Sequence, residues 1–157
     1  MELRFLAAGD RGLVVEFGDR IDPEINDRVR SLSLALEAEG IPGLVEAVPT
    51  YRSVGIEYDP AVLDLDLLQQ RVQELLATLD ASRLPPSKLV ELPTVYGGKY
   101  GPDLPFVSRH TGLTEAEVVR LHSETIYRVY MIGFTVGFGY LGGLPERLHT
   151  PRLASPR

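Results

Sequence analysis

In the first 80 positions, β-rich segments alternate with segments in which apolar residues recur at helical spacing. The order of these segments restricts the fold more than any other feature of the sequence. Short β-rich runs at positions 3–8 and 13–17 flank a turn at 9–12 that holds two glycines and an aspartate. A second pair of runs spans residues 44–48 and 53–58. Each pair is followed by apolar residues at helical spacing, namely Ile25, Val29, Leu32 and Leu36, and then Leu65, Leu68, Val72, Leu75, Leu76 and Leu79. The order ββαββα predicts an α+β domain with a small antiparallel sheet and two helices on one face.

The ends of the first helix carry clear signals. Asp22 is a residue type that caps free backbone amides, and Pro23 suits the first helical position. Gly40 and then Pro42 predict the end of the helix, because glycine adopts the left-handed conformation and proline cannot continue the helix.

A change in charge coincides with a proline-rich segment at residues 81–87. Residues 1–82 contain 16 acidic and 7 basic side chains, net −9, whereas residues 83–157 contain 6 acidic and 9 basic, net +3. Pro85 and Pro86 favour extended backbone and cannot lie inside a helix. We therefore predict two domains, at residues 1–82 and 83–157.

The second part of the chain has a weaker pattern. Alternating character predicts a strand over residues 88–96, followed by a loop and a short helix over 103–111. Thr114 and Glu117 have the spacing of a capping box, so a helix begins there and continues through His122. A β-rich run at 127–132 predicts another strand.

Composition excludes several classes of protein. The chain of 157 residues is 44% hydrophobic and lacks cysteine, which removes disulfide frameworks and thiolate metal sites. No apolar run is long enough to span a bilayer, and the N-terminus lacks a signal-peptide pattern, so we expect a cytoplasmic protein without a membrane partner. The net charge of −6 argues against nucleic acid as a partner. None of the three histidines has metal-ligand spacing, so no metal site is expected.

The most unusual segment is 133–143, in which five of eleven residues are glycine and Phe134, Phe138 and Tyr140 are interleaved. Two interpretations remain open. The segment is either a ligand loop whose free amides bind an anion, or a glycine-rich β-turn packed by aromatic rings. The spacing of Gly137, Gly139 and Gly142 resembles a dinucleotide fingerprint, but Pro145 follows where that fingerprint requires a helix.

Two Pro-Arg pairs follow, at Pro151-Arg152 and Pro156-Arg157, after Arg147. Arginine is a rigid donor fork for carboxylates and phosphates, which favours an anion-binding segment beside the glycine loop. The alternative is an extended segment whose arginines pair with the acidic first part of the chain.

Several motifs together resemble the family of the B-type subunit of 5-oxoprolinase, also called allophanate hydrolase subunit 1 or the sporulation-kinase inhibitor (KipI) family. The resemblance covers essentially the whole chain. The most specific matches lie in the last third of the chain and are Leu121-His122-Ser123, residues 127–134, Tyr140-Leu141-Gly142-Gly143-Leu144 and the two Pro-Arg pairs. Further matches are Gly9-Asp10-Arg11, Val48-Pro49-Thr50-Tyr51-Arg52-Ser53, Tyr96-Gly97-Gly98 and His110-Thr111-Gly112-Leu113-Thr114.

The resemblance implies that the N-terminal α+β domain is followed by a cyclophilin-like β-barrel domain. It also implies a second cyclophilin-like subunit, similar to the C-type subunit of 5-oxoprolinase, and a third subunit, and an assembly that opens 5-oxoproline to glutamate with ATP as co-substrate. Alternative functions in the family are inhibition of a sensor histidine kinase, by binding alone, and allophanate hydrolysis in association with urea carboxylase. Relatives continue past Arg157, so we expect the barrel to be incomplete in this chain.

An assembly of this kind needs a site for phosphates and a small carboxylate. The candidate binding residues are Gly137, Phe138, Gly139, Tyr140, Gly142, Gly143, Arg147 and Arg152. No residue is a convincing general base, so the catalytic residues are not assigned, and we expect either a partner or the missing C-terminal part of the barrel to complete the site. The family pattern places proline where Val136 stands and a variable residue at Gly139, and both changes loosen a preorganised loop.

Overall fold

A computed structural model describes residues 3–80 and 84–155 of the chain. The chain forms two compact units. One comprises Met1–Ser87 together with Tyr130–Tyr140, and the other comprises Lys88–Val129 together with Leu141–Arg157. The strands and helices are β1 (Arg4–Ala7), β2 (Gly12–Glu16), α1 (Pro23–Glu39), β3 (Leu44–Pro49), β4 (Ser53–Tyr58), α2 (Leu65–Thr78), α3 (Leu104–Thr111), α4 (Glu115–Glu124), β5 (Arg128–Ile132), β6 (Gly139–Gly142) and a 3-10 helix at Glu146–Leu148.

The first unit is built on a four-stranded antiparallel sheet in the order β1-β2-β4-β3. The register pairs Val15 with Phe5 on one side and with Val54 on the other, so alternate residues of neighbouring strands share a face. This confirms the predicted ββαββα order and the antiparallel sheet.

One face of this sheet and the apolar stripes of both helices form a single core. The core consists of Leu13, Val15, Phe17, Ile25, Val29, Leu32, Leu36, Ile41, Ala47, Val54, Ile56, Tyr58, Leu63, Leu68 and Val72. Phe17, Leu32 and Leu68 are almost completely buried, and burial of each such side chain contributes about 1.5–3 kcal/mol. The apolar residues that recur every second position in the strands and about every 3.6 positions in the helices therefore pack into the same core.

The predicted ends of α1 are confirmed. Asp22 accepts hydrogen bonds from the backbone amides of Glu24 at 2.9 Å and Ile25 at 3.3 Å, and Pro23 is the first helical residue. Gly40 ends the helix in the left-handed conformation, at φ +62°.

The second unit holds α3, α4 and the 3-10 helix around a smaller core of Leu113, Val118 and Leu148. The capping box is present, because Thr114 Oγ1 accepts from the Glu117 amide at 3.2 Å and Glu117 Oε2 accepts from the Thr114 amide at 2.8 Å. The two short helices and the strand at 128–132 confirm the predictions for these segments. The α+β fold class is thereby confirmed, and the ribbon of β5 and β6 does not contradict a partial cyclophilin-like domain.

The strand predicted over residues 88–96 is wrong. These residues have no regular secondary structure, and all but Tyr96 are exposed. Alternating apolar residues make a segment compatible with a β-strand. A strand forms, however, only where the backbone of a neighbouring strand hydrogen-bonds to it. In the described part of the chain no strand pairs with this segment.

The proposed linker at 81–87 lies partly outside the described residues, which resume at Leu84. Pro85 and Pro86 are exposed and outside any helix or strand. The domain boundary between residues 82 and 83 stays a prediction. Among the described residues, no helix combines the length and the apolar character that crossing a bilayer requires.

Two glycines near the start of β3 allow a matched test of the fold. Gly43 has φ +88°, and a Cβ there would lie 2.7 Å from Leu63 Cβ, whereas Gly40 has φ +62° with no atom within 4 Å of such a Cβ. Both changes to alanine incur the left-handed backbone cost, but only Gly43→Ala adds a steric overlap. We expect Gly40→Ala to lower the free energy of unfolding by about 1 kcal/mol and Gly43→Ala by about 3 kcal/mol, measured by urea denaturation. Equal losses would contradict the packing of Leu63 against Gly43.

Candidate functional site

The glycine-rich segment forms a tight turn between β5 and β6. The amide of Gly133 donates to the carbonyl of Phe138 at 3.1 Å, which closes the ribbon. Within it, the amide of Phe138 donates to the carbonyl of Thr135 at 3.0 Å, and Gly137 has φ +79°. A hydrogen bond across four residues with a positive φ at the third is the arrangement of a type II turn, in which glycine is strongly preferred at that position.

Phe134 is the one non-glycine residue in the described part of the chain with a positive φ, at +64°. Its side chain is 86% exposed. A bulky residue in this conformation is strained. Because the phenyl ring is exposed, hydrophobic burial does not offset the strain. The turn therefore holds an apolar ring in solvent at an energetic cost.

A row of aromatic rings leads from this turn to the sheet. Successive ring centroids are 5.7 Å apart for Phe134 and Phe138, 5.2 Å for Phe138 and Tyr140, 6.1 Å for Tyr140 and Tyr51, and 5.3 Å for Tyr51 and Tyr130. Three of the four pairs are edge-to-face, a favourable geometry for aromatic rings. Tyr130, at the base of the row, is buried.

A buried amide joins the base of the ribbon to the first turn of α1. Asn26 is completely buried, and its Nδ2 lies 3.0 Å from the carbonyl oxygen of Thr50, 3.4 Å from that of Tyr51 and 3.3 Å from that of Tyr130. Its Oδ1 has no hydrogen-bond partner among the described residues. One side chain thus ties the helix start, the β3–β4 turn and β5 together, at the cost of one unsatisfied acceptor.

The predicted binding residues of the glycine segment lie at the turn and along β6. Gly137 and Phe138 are turn residues, Gly139, Tyr140 and Gly142 lie on β6, and Gly143 follows with φ +102°. The structure contains the glycine-rich β-turn with its aromatic rings, and a turn of this kind is compatible with either interpretation. The role of these residues in anion binding stays a prediction.

The two predicted arginines belong to the second unit. Arg147 lies in the 3-10 helix and Arg152 in the extended segment after it, and both are exposed. Neither forms an ion pair within residues 3–80 and 84–155, so the alternative of pairing with acidic residues is not observed there. Hydrogen bonds from Thr114 lower the pKa of Glu117, with a smaller contribution from the positive charge of Arg147.

The second unit also contains a cavity of about 320 Å³ that the sequence did not predict. Its walls are mainly apolar, and His122, Tyr96 and Thr150 supply side-chain polar atoms. The other lining residues are Val95, Gly97, Gly101, Leu104, Val107, Val118, Leu144 and Leu148.

At this cavity Tyr96 and His122 form a hydrogen-bonded pair. The hydroxyl oxygen of Tyr96 lies 2.7 Å from Nδ1 of His122, and their rings meet edge to face with centroids 5.7 Å apart. Tyr127 supports the arrangement by donating its hydroxyl to the carbonyl of His122 at 3.2 Å. The spacing of the histidines favours a structural or surface role for His122 and gives no sign of this pair. Tyr96 and His122 both lie in motifs that carry the family resemblance, which was the one sequence signal for this pair. Because 26 positions separate the two residues, the motifs do not show that they are in contact.

Metal-ligating side chains do not converge in the described ranges. No group of three or more histidine, aspartate or glutamate side chains there is placed to hold a metal ion. His110 stacks instead on Phe106, with ring centroids 5.9 Å apart.

Comparison with known proteins identifies the family. The family described as "Carboxyltransferase domain, subdomain C and D" matches residues 3–157. The chain belongs to this family. It is 33% identical to the B-type subunit of 5-oxoprolinase from Bacillus subtilis, over 95% of this chain and 66% of that protein. It is 40% identical to the B-type subunit of 5-oxoprolinase from Escherichia coli O157:H7, over 95% of this chain and 67% of that protein.

Two solved structures share the fold of this chain. The crystal structure of TTHA0988 matches 94% of this chain and 28% of its own, at 38% identity and a TM-score of 0.79. The Kluyveromyces lactis urea amidolyase shares the fold at 18% identity, with a TM-score of 0.59 over 83% of this chain and 9% of its own. The resemblance to the B-type subunit of 5-oxoprolinase is thus confirmed, and the chain spans about two thirds of the length of these curated relatives.

The resemblance to the B-type subunit of 5-oxoprolinase predicts proline at position 136, where this chain has valine, and the turn explains why valine is tolerated. Val136 is the second residue of the turn that Thr135 begins, a position at which proline is favoured because its φ is preset. Valine keeps the turn and raises only the entropy of the unfolded chain.

Restoring proline therefore provides a direct test of the turn. We expect Val136→Pro to raise the free energy of unfolding by about 0.5–1 kcal/mol, measured by chemical denaturation. Val129→Pro is the matched control, because Val129 lies within β5 and proline is disfavoured inside a strand. A loss of stability in Val136→Pro would contradict the turn assignment.

The aromatic row predicts a pH effect at Tyr51. Burial, with smaller contributions from Tyr140 and Tyr130, raises the pKa of Tyr51 above 10.0. The folded state therefore disfavours the tyrosinate, so this contribution to stability is complete below about pH 10 and is lost as the pH rises through the folded-state pKa. We expect Tyr51→Phe to reduce the fall in the free energy of unfolding between neutral and strongly alkaline pH. Tyr100→Phe, at an exposed ring, is the control; an identical pH dependence of Tyr51→Phe and the parent chain would refute the prediction.

Proposed function

We propose that the chain is a subunit of an ATP-dependent 5-oxoprolinase, an assembly that opens 5-oxoproline to glutamate. The observation that carries this proposal is the sequence similarity to two proteins named as the B-type subunit of 5-oxoprolinase, each over 95% of this chain.

The chemistry explains why such an assembly needs ATP. The lactam of 5-oxoproline is an unstrained amide, and its carbonyl carbon is a poor electrophile. Transfer of the terminal phosphoryl group of ATP to the lactam oxygen releases ADP and leaves an activated carbon. Water then adds to that carbon, the ring C–N bond breaks, and a second water releases phosphate to give glutamate. The site must therefore hold phosphates, where charge accumulates, and a small carboxylate.

We assign the binding part of this site to residues that the sequence singled out. Gly137, Gly139, Gly142 and Gly143 offer backbone without side chains, which permits close approach of an anion. Phe138 and Tyr140 supply ring surface, and Tyr140 also offers a hydroxyl. The exposed guanidinium groups of Arg147 and Arg152 are available to bind phosphate oxygens in a fork geometry.

The remaining chemistry belongs to partner subunits in this proposal. A second cyclophilin-like subunit, similar to the C-type subunit of 5-oxoprolinase, and a third subunit supply the general base, which is not assigned to any residue of this chain. Because ATP and 5-oxoproline are small cytosolic solutes, the proposed location is the cytoplasm.

The decisive experiment measures 5-oxoproline-dependent ADP release by the chain combined with both partner subunits. We expect turnover with 5-oxoproline and a loss of about tenfold to one hundredfold in kcat/KM for Arg147→Ala, which removes a charged hydrogen bond worth about 1.5–3 kcal/mol. Arg109→Ala is the control, because Arg109 is an exposed arginine on α3 outside the proposed site.

Two other outcomes would replace the proposal. ADP release or ammonia release with allophanate alone indicates the allophanate branch of the family. Absence of turnover with both substrates, combined with binding to a sensor histidine kinase that blocks its autophosphorylation, indicates a regulatory binding protein.

A further inference from the structure

The cavity of the second unit has the size and composition of a small-ligand site. Binding pockets are mostly apolar, contain a few polar groups that orient the ligand, and begin at about 300 Å³. At about 320 Å³ the cavity suits a single ring rather than a nucleotide. Leu104, Val107, Val118 and Leu148 provide the apolar wall, and the buried positions of Val118 and Leu148 connect that wall to the core of the unit.

The polar side of the cavity is ordered before any ligand binds. Tyr96 and Tyr127 hold the ring and the backbone of His122 through hydrogen bonds of 2.7 Å and 3.2 Å. With Nδ1 engaged by the Tyr96 hydroxyl, Nε2 is the ring atom left to bind a ligand. Proton placement in the pair is reversible: if Tyr96 donates to Nδ1, Nε2 carries the proton and donates; if Nδ1 donates to the hydroxyl, Nε2 accepts.

Gly97 and Gly101, which also line the cavity, belong to a loop that closes on itself. The amide of Gly101 donates to the carbonyl of Gly97 at 2.9 Å, and the amide of Leu104 donates to the carbonyl of Gly101 at 3.1 Å. A Cβ at Gly101 would lie 2.5 Å from the backbone nitrogen of Gly97, so glycine is required for this close contact. The loop thus presents a thin backbone wall to the cavity.

We propose that this cavity binds the lactam ring of 5-oxoproline. The ring methylenes pack against the leucine and valine wall, and the edge of the cis amide, which carries one acceptor and one donor side by side, binds at Tyr96 and His122. The identity of the ligand rests on the proposed function, whereas the cavity and its polar pair do not. Tyr96 and His122 are binding residues in this assignment.

The charge of the lining leads to a specific expectation. No lysine or arginine lines the cavity in the described part of the chain, so the carboxylate of 5-oxoproline points to the mouth and adds little to ring binding. A lactam without a carboxylate should therefore bind in the same place. The probe is 2-pyrrolidinone, the unsubstituted five-membered lactam.

Binding is measured by NMR of the leucine and valine methyl groups in the chain. We expect 2-pyrrolidinone to shift the methyls of Leu104, Val107, Val118 and Leu148, with an affinity within about threefold of that of 5-oxoproline, because the ring supplies most of the contact. The methyls of Val29 and Leu32, in the core of the other unit, are the internal control and should not move. Absence of shifts in the cavity methyls overturns the proposal.

Two variants distinguish specific recognition of the lactam ring from nonspecific binding to apolar surface. Tyr96→Phe keeps the aromatic ring and removes the hydroxyl, so we expect about a fivefold loss in lactam affinity, as for one hydrogen bond. Tyr100→Phe is the matched control at an exposed ring outside the cavity. Leu144→Phe narrows the cavity at a residue that is 40% exposed, which limits the risk to folding, and should abolish the methyl shifts. Unchanged binding in both Tyr96→Phe and Leu144→Phe overturns the proposal.

The same variants in the reconstituted assembly distinguish this proposal from the proposed function. If the parent assembly turns over 5-oxoproline, Tyr96→Phe should raise KM for 5-oxoproline about fivefold, with KM for ATP unchanged. Turnover with unchanged KM in Tyr96→Phe and Leu144→Phe overturns the lactam site and leaves the proposed function intact. Cavity methyl shifts without turnover by the parent assembly overturn the function and support a lactam site.

Discussion

The buried amide of Asn26 is the interaction on which the arrangement of the first unit depends. Its Nδ2 approaches carbonyl oxygens of Thr50, Tyr51 and Tyr130, and Tyr130 is 104 positions away in the chain. A polar side chain in an apolar interior is stable only where its donors are satisfied, so these three backbone segments must meet at one point. That requirement fixes the position of Tyr130 beside Thr50 and Tyr51 within the first unit, and hence where the ribbon begins.

The ribbon extends from this buried base to an exposed tip. From Tyr130 the aromatic row runs through Tyr51 and Tyr140 to Phe138 and Phe134, and burial decreases along it. The base is held by packing and by the Asn26 amide, whereas the tip carries a left-handed phenylalanine in solvent. Strain and exposed apolar surface at one place are unusual in a folded chain and are typical of positions that meet a ligand or a partner.

Sequence reasoning succeeded where the signal was local. Asp22, Pro23 and Gly40 define the ends of α1 by the chemistry of their own backbone and side chains, and the Thr114–Glu117 capping box lies within four residues. It failed for the segment 88–96, because strand pairing requires a partner that alternation does not reveal. The cavity was also missed, since the hydrogen bond between Tyr96 and His122 joins a loop to a helix across 26 positions.

The amino-acid sequence by itself determined the order of strands and helices in the first unit, the helix ends and membership of the carboxyltransferase family. These properties depend on periodicity, capping and motifs, which are read within short stretches of chain. Tertiary structure alone decided that the glycine segment becomes a paired ribbon anchored by Asn26, and that Tyr96 orients His122 at a cavity. The reason is physical: burial, pairing and hydrogen bonding between distant segments are properties of the folded interior, and no local pattern encodes them.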